Sequence, residues 1–262
     1  MREQPQRVDP VDRYYKAVQN GEAVSNILFW IAAALSIVVL FFDKAAHPVL
    51  YEITQIVFAL SVIAQFVLGL TLRLYWSPQA EDQRRLSLIS DSFDTLLTPA
   101  KTVGFFNNAE TEPLRRLGLS VMENCFFTRA IALEMLKRER VVVCAYTVVF
   151  LICVFVRSTD PAVIPIAAQA VFSEQLISRW LRLEWLSVRC GAIYTRLYDL
   201  FQAPPMMRIR SARIIDALTA YETSKANAGI ALSSPIFRRL NPQLSEEWKM
   251  VLAALKQGQP GG

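Results

Sequence analysis

With 262 residues, 53 % of them hydrophobic, and a net charge of +5, the chain is too apolar for an ordinary soluble domain and too polar to lie wholly in lipid. Nine glycines and 13 prolines argue against disorder and against a turn-rich β architecture, and no repeat of fixed period is visible. One histidine and four cysteines (Cys125, Cys144, Cys153, Cys190) show no metal-ligand spacing, so the thiols read as reduced packing residues and no metal or cofactor is expected.

Residues 1–23 form a polar N-terminal segment. Residues 24–42 are an apolar run whose polar members, Ser25 and Asn26, sit at its start. The long leader balances acidic with basic residues and a second apolar run follows at once, which opposes a cleaved signal peptide. That second run, 53–72, carries Gln55, Ser61, Gln65 and Thr71 and closes on Arg73, Tyr75 and Trp76. An aromatic and cationic belt of this kind marks a membrane boundary. Residues 24–76 are therefore expected to form a first transmembrane hairpin.

The segment 77–140 has soluble helical character. Leu86, Ile89, Phe93 and Leu97 recur at helical spacing over 79–97, after Pro78. A break through Thr98-Pro99 and Gly104-Phe105-Phe106-Asn107-Asn108 follows. From Pro113 a second helical pattern (Leu114, Leu117, Val121, Phe126, Phe127, Ile131, Met135) leads into the third apolar run, 141–156. The fourth run, 162–177, contains Pro165, Gln169, Ser173, Glu174 and Gln175, and residues 141–178 make the second hairpin. About 20 helical residues cross a ~30 Å hydrocarbon layer. The first two runs meet that length; the last two need a flanking turn or local thinning. The competing reading of these two is a buried hairpin in a soluble helical domain.

Residues 179–262 are expected to be a helical C-terminal region. One helix runs to Pro204-Pro205 and a second covers 211–232, with Asp216 and Glu222 among Arg213 and Lys225 for local pairing. Pro235 and Pro242 bracket a connection, and Ser245 with Glu246 and Glu247 opens a last short helix. The predicted fold is all-α: four transmembrane helices in two hairpins with a helical cytoplasmic region.

Loop charges orient the spans. Four basic residues precede the first run, ten lie between the second and third, and twelve follow the fourth, whereas Lys44 and Arg157 stand alone in the two short connections. Cationic loops stay inside, so both termini and the middle segment are expected in the cytoplasm of a multi-pass protein of the cell membrane.

Catalytic chemistry finds little support. His47 falls in a short outer loop, and no phosphate-binding glycine loop, nucleophile elbow or His-Glu-x-x-His pattern occurs. Asp91 with Asp94, and Glu110 with Glu112, suit solvated helices and loops; Asp91 and Asp94 are placed to anchor Arg84, Arg85 or a neighbouring subunit. The chain is expected not to be an enzyme.

Polar residues in the spans carry more information, because lipid penalises them. Ser61 and Gln65 are one turn apart, as are Gln169 and Ser173, with Glu174 beside them near the inner mouth. These five either line an aqueous pore or bond helices to one another. An ion pair from Glu174 to Arg179 is equally easy to draw. In the C-terminal region Arg208, Arg210 and Arg213 form one basic cluster, and Arg238 with Arg239 another. They suit phosphate ligands, with Tyr221 and Phe237 nearby for base stacking, or equally a face apposed to anionic lipid.

The order of helix hairpin, cytoplasmic helical segment, second hairpin and helical C-terminal region resembles bacterial four-transmembrane effectors associated with SMODS-type nucleotidyltransferases. The lead-in Tyr14-Tyr15, the stretch Gln83-Arg84-Arg85 through Ile89-Ser90-Asp91-Ser92-Phe93-Asp94, the run Gly104-Phe105-Phe106-Asn107-Asn108 and Phe126-Phe127-Thr128-Arg129 are similar to stretches in those proteins. The resemblance covers nearly the whole layout but matches residues only there. It implies an antiphage-defence effector of the CBASS or Hailong type, controlled by a cyclic nucleotide or short oligonucleotide from a neighbouring nucleotidyltransferase. It further implies a homo-oligomeric pore or ion channel that depolarises the bacterial inner membrane. A non-conducting membrane adaptor that recruits a soluble partner is the alternative expectation.

Overall fold

The computed structural model describes residues 10–41, 47–98, 110–155 and 174–257, and these are mostly helical with no strand among them. The elements are α1 (Asp12–Phe41), α2 (Pro48–Thr71), α3 (Ser77–Phe93), α4 (Pro113–Phe155), α5 (Arg179–Gln202), α6 (Met207–Ala228) and α7 (Ser234–Gln257). Two π-helical turns, Leu72–Trp76 and Glu174–Ser178, precede α3 and α5. α2, its π turn and α3 form one uninterrupted helix of 46 residues, Pro48–Phe93.

Local chemistry explains most of the boundaries. Pro48 starts α2 at a position where its missing N–H costs nothing. Within α2 the hydroxyls of Thr54, Ser61 and Thr71 donate to the carbonyls of Leu50, Val57 and Val67 at 2.7, 2.8 and 2.9 Å. The helix thereby satisfies its own polar side chains in an apolar setting. α3 stops at Asp94, whose φ of 49° turns the chain, and the Thr95 N–H donates back to the Ser90 carbonyl at 3.0 Å. α6 ends on Gly229, whose φ of 54° needs no Cβ, with its N–H donating to Lys225 O.

The helical pattern from Pro113, expected to lead into the third apolar run, does so without a break as one 43-residue helix, α4. Two expectations change. The α3 pattern continues backwards into α2 rather than starting after Pro78. Most plainly, the connection predicted between Pro235 and Pro242, and the helix start at Ser245, are replaced by a single α7 from Ser234 with Pro242 inside it. Pro235 occupies the first turn, where proline is tolerated. Pro242 removes one backbone donor, and the apolar stripe of buried Leu244, Trp248 and Leu255 keeps the helix intact around it.

The chain divides into two compact units. The helical unit comprises 1–15, 78–135 and 183–262. Its core takes Leu117, Val121 and Cys125 from α4, Leu186, Cys190, Ile193 and Leu197 from α5, Ile214 and Tyr221 from α6, and Trp248 from α7. These recur every three or four residues, one stripe per helix. Gly118 permits the closest approach: a Cβ there would lie 2.7 Å from Phe201 Cζ and 3.1 Å from Ile214 Cγ1. Cys125 and Cys190 are free thiols buried in this core.

The second unit comprises 16–77 and 136–182. Here Gly21 of α1 lies so close to the π turn that a Cβ would meet Leu72 Cδ2 at 2.7 Å and Trp76 at 2.9 Å. Trp30 of α1 and Tyr146 of α4 bring their ring centroids to 5.6 Å. Arg179 binds Glu139 at 3.3 Å and Glu22 at 3.7 Å, which joins three helices by charge. Among the described residues one helix, Pro48–Phe93, is long and apolar enough to cross a membrane, and its apolar stretch is only 11 % buried. Ile53, Ile56, Leu60, Ile63, Phe66 and Leu70 stand exposed along it. Of the fourth predicted run, residues 162–173 lie outside the described residues.

Candidate functional site

Four groups of residues bear on function. On α2, Ser61 is buried at 8 % exposure and donates to the Val57 carbonyl of its own helix, and Gln65, one turn on, is half-buried. Gln169 and Ser173 lie outside the described residues. Glu174 begins the second π turn, and its predicted alternative partner, Arg179, is taken up by Glu139 and Glu22. His47 is exposed immediately before α2. Asp91 pairs with Arg116 at 3.0 Å rather than with Arg84 or Arg85, and Arg85 pairs with Asp82 at 2.8 Å.

Of the five predicted phosphate-binding arginines, two are engaged in ion pairs within the helical unit. Arg210 donates to both carboxylate oxygens of Glu112, at 2.8 and 2.9 Å, a bidentate pair that ties α6 to the start of α4. Arg239 donates to Glu134 at 2.6 Å. Arg208, Arg213 and Arg238 remain exposed. Phe237 packs against Phe127 at 6.3 Å, and Tyr221 is buried with its hydroxyl 3.2 Å from that of Thr128. The buried Tyr221 ring is not presented for base stacking, whereas Phe237 is half-buried.

A buried charge cluster joins α1, α3 and α6. Lys225 contacts the Glu81 carboxylate, lies 3.7 Å from Glu222 and sits 5.1 Å from the centre of the Tyr221 ring. Burial alone would lower the lysine's pKa, but Glu81, then Tyr15, Tyr221 and Glu222, outweigh it and hold the ammonium well above its ordinary value. Burial pushes the Tyr15 phenol up to about 12, against the pull of Lys225. Glu222 is raised chiefly by burial, with Lys225 opposing. Arg84 covers the Tyr15 ring at 5.4 Å. Sequence reading finds Lys225 and Glu222 as a local pair but misses Glu81 and Tyr15, which nothing local marks.

The fourth group is a groove of about 430 Å³ between α4 and α5 of the helical unit. Arg129 and Leu133 form the α4 wall; Glu184, Ser187, Val188, Gly191 and Thr195 form the α5 wall. Gly191 shapes it: a Cβ there would lie 3.3 Å from Arg129 Nε, tighter than ordinary contact, so the missing side chain lets the guanidinium lie on α5. Just outside the groove Tyr194 stacks on Tyr198 at 6.1 Å, and burial, with Tyr198 beside it, raises the Tyr194 phenol's pKa. Neither Arg129 nor Gly191 carries a signal in the sequence beyond the short Phe126-Phe127-Thr128-Arg129 stretch.

Among the described residues no group of three His, Cys, Asp or Glu side chains is arranged to hold a metal ion. No protein-family model, curated protein or solved structure matches the chain, so its functional reading rests on its own geometry.

Proposed function

We propose that this chain is a four-span protein of the bacterial inner membrane, with both termini cytoplasmic, whose homo-oligomer forms an ion-conducting pore under the control of a nucleotide or oligonucleotide signal. The observation that carries the reading is the helix Pro48–Phe93. Its first half exposes a long apolar surface interrupted by half-buried Gln65, and its second half buries Ser87 and Leu88 in the helical unit. An apolar surface of this length is unstable in water and calls for lipid or further subunits. One protomer has few helices with which to surround water, so an oligomer supplies the conduit. The helical unit is the ligand-sensing part, and exposed Arg208, Arg213 and Arg238 add surface charge that attracts anions. Antiphage defence, with a neighbouring nucleotidyltransferase as the source of the signal, is the setting that the layout favours.

Two measurements test this. Fused to the C-terminus, green fluorescent protein is expected to fluoresce and alkaline phosphatase to remain inactive; the reverse pattern inverts the topology. In potassium-loaded vesicles, purified protein is expected to release ions, and Gln65→Leu to cut the flux by at least about tenfold at unchanged oligomer size, because a pore-lining amide would be replaced by a hydrophobic constriction. Unaltered flux in Gln65→Leu returns Gln65 to helix packing. Intact oligomers that pass no ions with cyclic dinucleotides and short DNA oligomers, present or absent, favour the adaptor reading. In that case exposed Met206, Met207 and Ile209 around Arg208 are the surface for a soluble partner.

A further inference from the structure

We infer that the groove between α4 and α5 is a binding site for a small organic anion, one that joins a phosphate or carboxylate to a flat apolar body, with Arg129 as its anchor. The inference deepens the ligand-controlled reading by naming where an anionic signal sits, and it rests on that reading only for its consequence in the cell.

Arg129 lines the groove without a carboxylate partner among the described residues, whereas Arg116 pairs with Asp91, Arg210 with Glu112 and Arg239 with Glu134. The Arg129 side chain is exposed, and Gly191 leaves the space in which its guanidinium lies against α5. An alanine at 191 would push Nε outwards by a few tenths of an ångström. An arginine with open donors on a concave surface is suited to a phosphate or carboxylate, which accepts its planar fork of N–H groups.

The rest of the groove fixes the second half of the ligand. Leu133 and Val188 are exposed apolar side chains on opposite walls, and Ser187 and Thr195 place hydroxyls along the α5 side. The Thr195 hydroxyl already donates to Gly191 O at 3.1 Å, which leaves its lone pairs as acceptors for a ligand donor. The volume falls within the ~300–1,000 Å³ typical of small-ligand sites. An inorganic ion would use Arg129 and leave the apolar walls wet, so the preferred ligand carries an aromatic or aliphatic body. Glu184 also lines the groove and disfavours a second anionic group, which favours a ligand with a single charged end.

Exposed Arg208, Arg213 and Arg238 then have a different task from Arg129. Distributed surface charge steers an anion towards the unit and acts on association and its salt dependence; a direct contact in a groove acts on dissociation.

The test is calorimetric titration of the full chain in nanodiscs with phenyl phosphate, AMP and inorganic phosphate. Both organic phosphates are expected to bind saturably and more tightly than inorganic phosphate. Arg129→Gln is expected to weaken them by at least about tenfold, the loss of one charge-assisted contact. Gly191→Ala weakens them several-fold, and the combined Arg208, Arg213 and Arg238→Gln variant less than about threefold at physiological salt. Thermal unfolding checks that exposed Arg129 has been replaced without loss of the fold. Absence of saturable binding by either organic phosphate, or equal affinity in Arg129→Gln, overturns the assignment. So does a change of subunit number in Arg129→Gln, which gives the groove to a second copy of the chain. Protein that binds but passes no ions keeps this site and loses the pore, whereas protein that passes ions but binds neither organic phosphate does the converse.

Discussion

Lys225→Met is expected to lower the unfolding temperature of the helical unit by roughly 6–12 °C, which corresponds to about 3 kcal/mol for breaking a buried ion cluster. Lys225 faces two carboxylates, Glu81 from α3 and Glu222 from its own helix. Methionine matches the length of the aliphatic stem and removes only the charge, so what is lost is the compensation of Glu81 and Glu222. The lysine's folded pKa lies well above its ordinary value. Its stabilising contribution is therefore complete at neutral pH and disappears only as pH rises through that high value. Glu222 works in the opposite sense. Its pKa is raised by burial and held down by Lys225, so without the lysine it rises further and the folded state takes up a proton more readily than the unfolded chain. The deficit of Lys225→Met should then shrink as pH falls from 7.5 towards 5. Melting curves at the two pH values, with Glu81→Gln added to Lys225→Met as a partial rescue, check this. A deficit independent of pH, or no rescue, would show that the carboxylates are not what the lysine compensates.

That cluster also shows where the sequence is legible. Helices declare themselves through the three-to-four-residue spacing of residues such as Leu117, Val121 and Cys125, a local property of the chain. Helix ends are harder to place. The boundary expected near residue 140 is a change of surroundings, from charged Lys137, Arg138 and Arg140 to apolar Val141, with no Gly or Pro to stop the helix, so α4 runs through it. Pro242 misleads in the other direction, because the packing of Trp248 and Leu244 outweighs one lost backbone bond. Partners distant in sequence leave no local trace. Arg210 and Arg239 look available for phosphate until Glu112 and Glu134 are brought to them by the fold. Gly191 looks like any helical glycine until Arg129 is found lying against it.

Trp248→Ala is expected to destabilise the helical unit by about 3–5 kcal/mol, whereas Trp248→Phe should cost far less than its change in volume implies. The indole is fully buried in the core and lies 5.9 Å from the ring of Phe126. Alanine leaves a cavity that rigid helices on several sides cannot close. Phenylalanine leaves a smaller one, and it also removes a defect: Trp248 Nε1 is buried with no acceptor among the described residues. A buried donor without a partner carries a desolvation penalty of about 1–3 kcal/mol, which the phenyl ring does not incur. Relief of the buried donor is common to both substitutions, so the difference between them reports the difference in cavity. Trp248 is also the largest core residue of α7, so its loss should release that helix before the rest of the unit unfolds. Limited proteolysis of Trp248→Ala is then expected to cut first in the 229–233 connection, at temperatures where wild type and Trp248→Phe resist. If Trp248→Phe melts as low as Trp248→Ala, the indole N–H has an acceptor and its hydrogen bond, rather than its bulk, holds α7 in place.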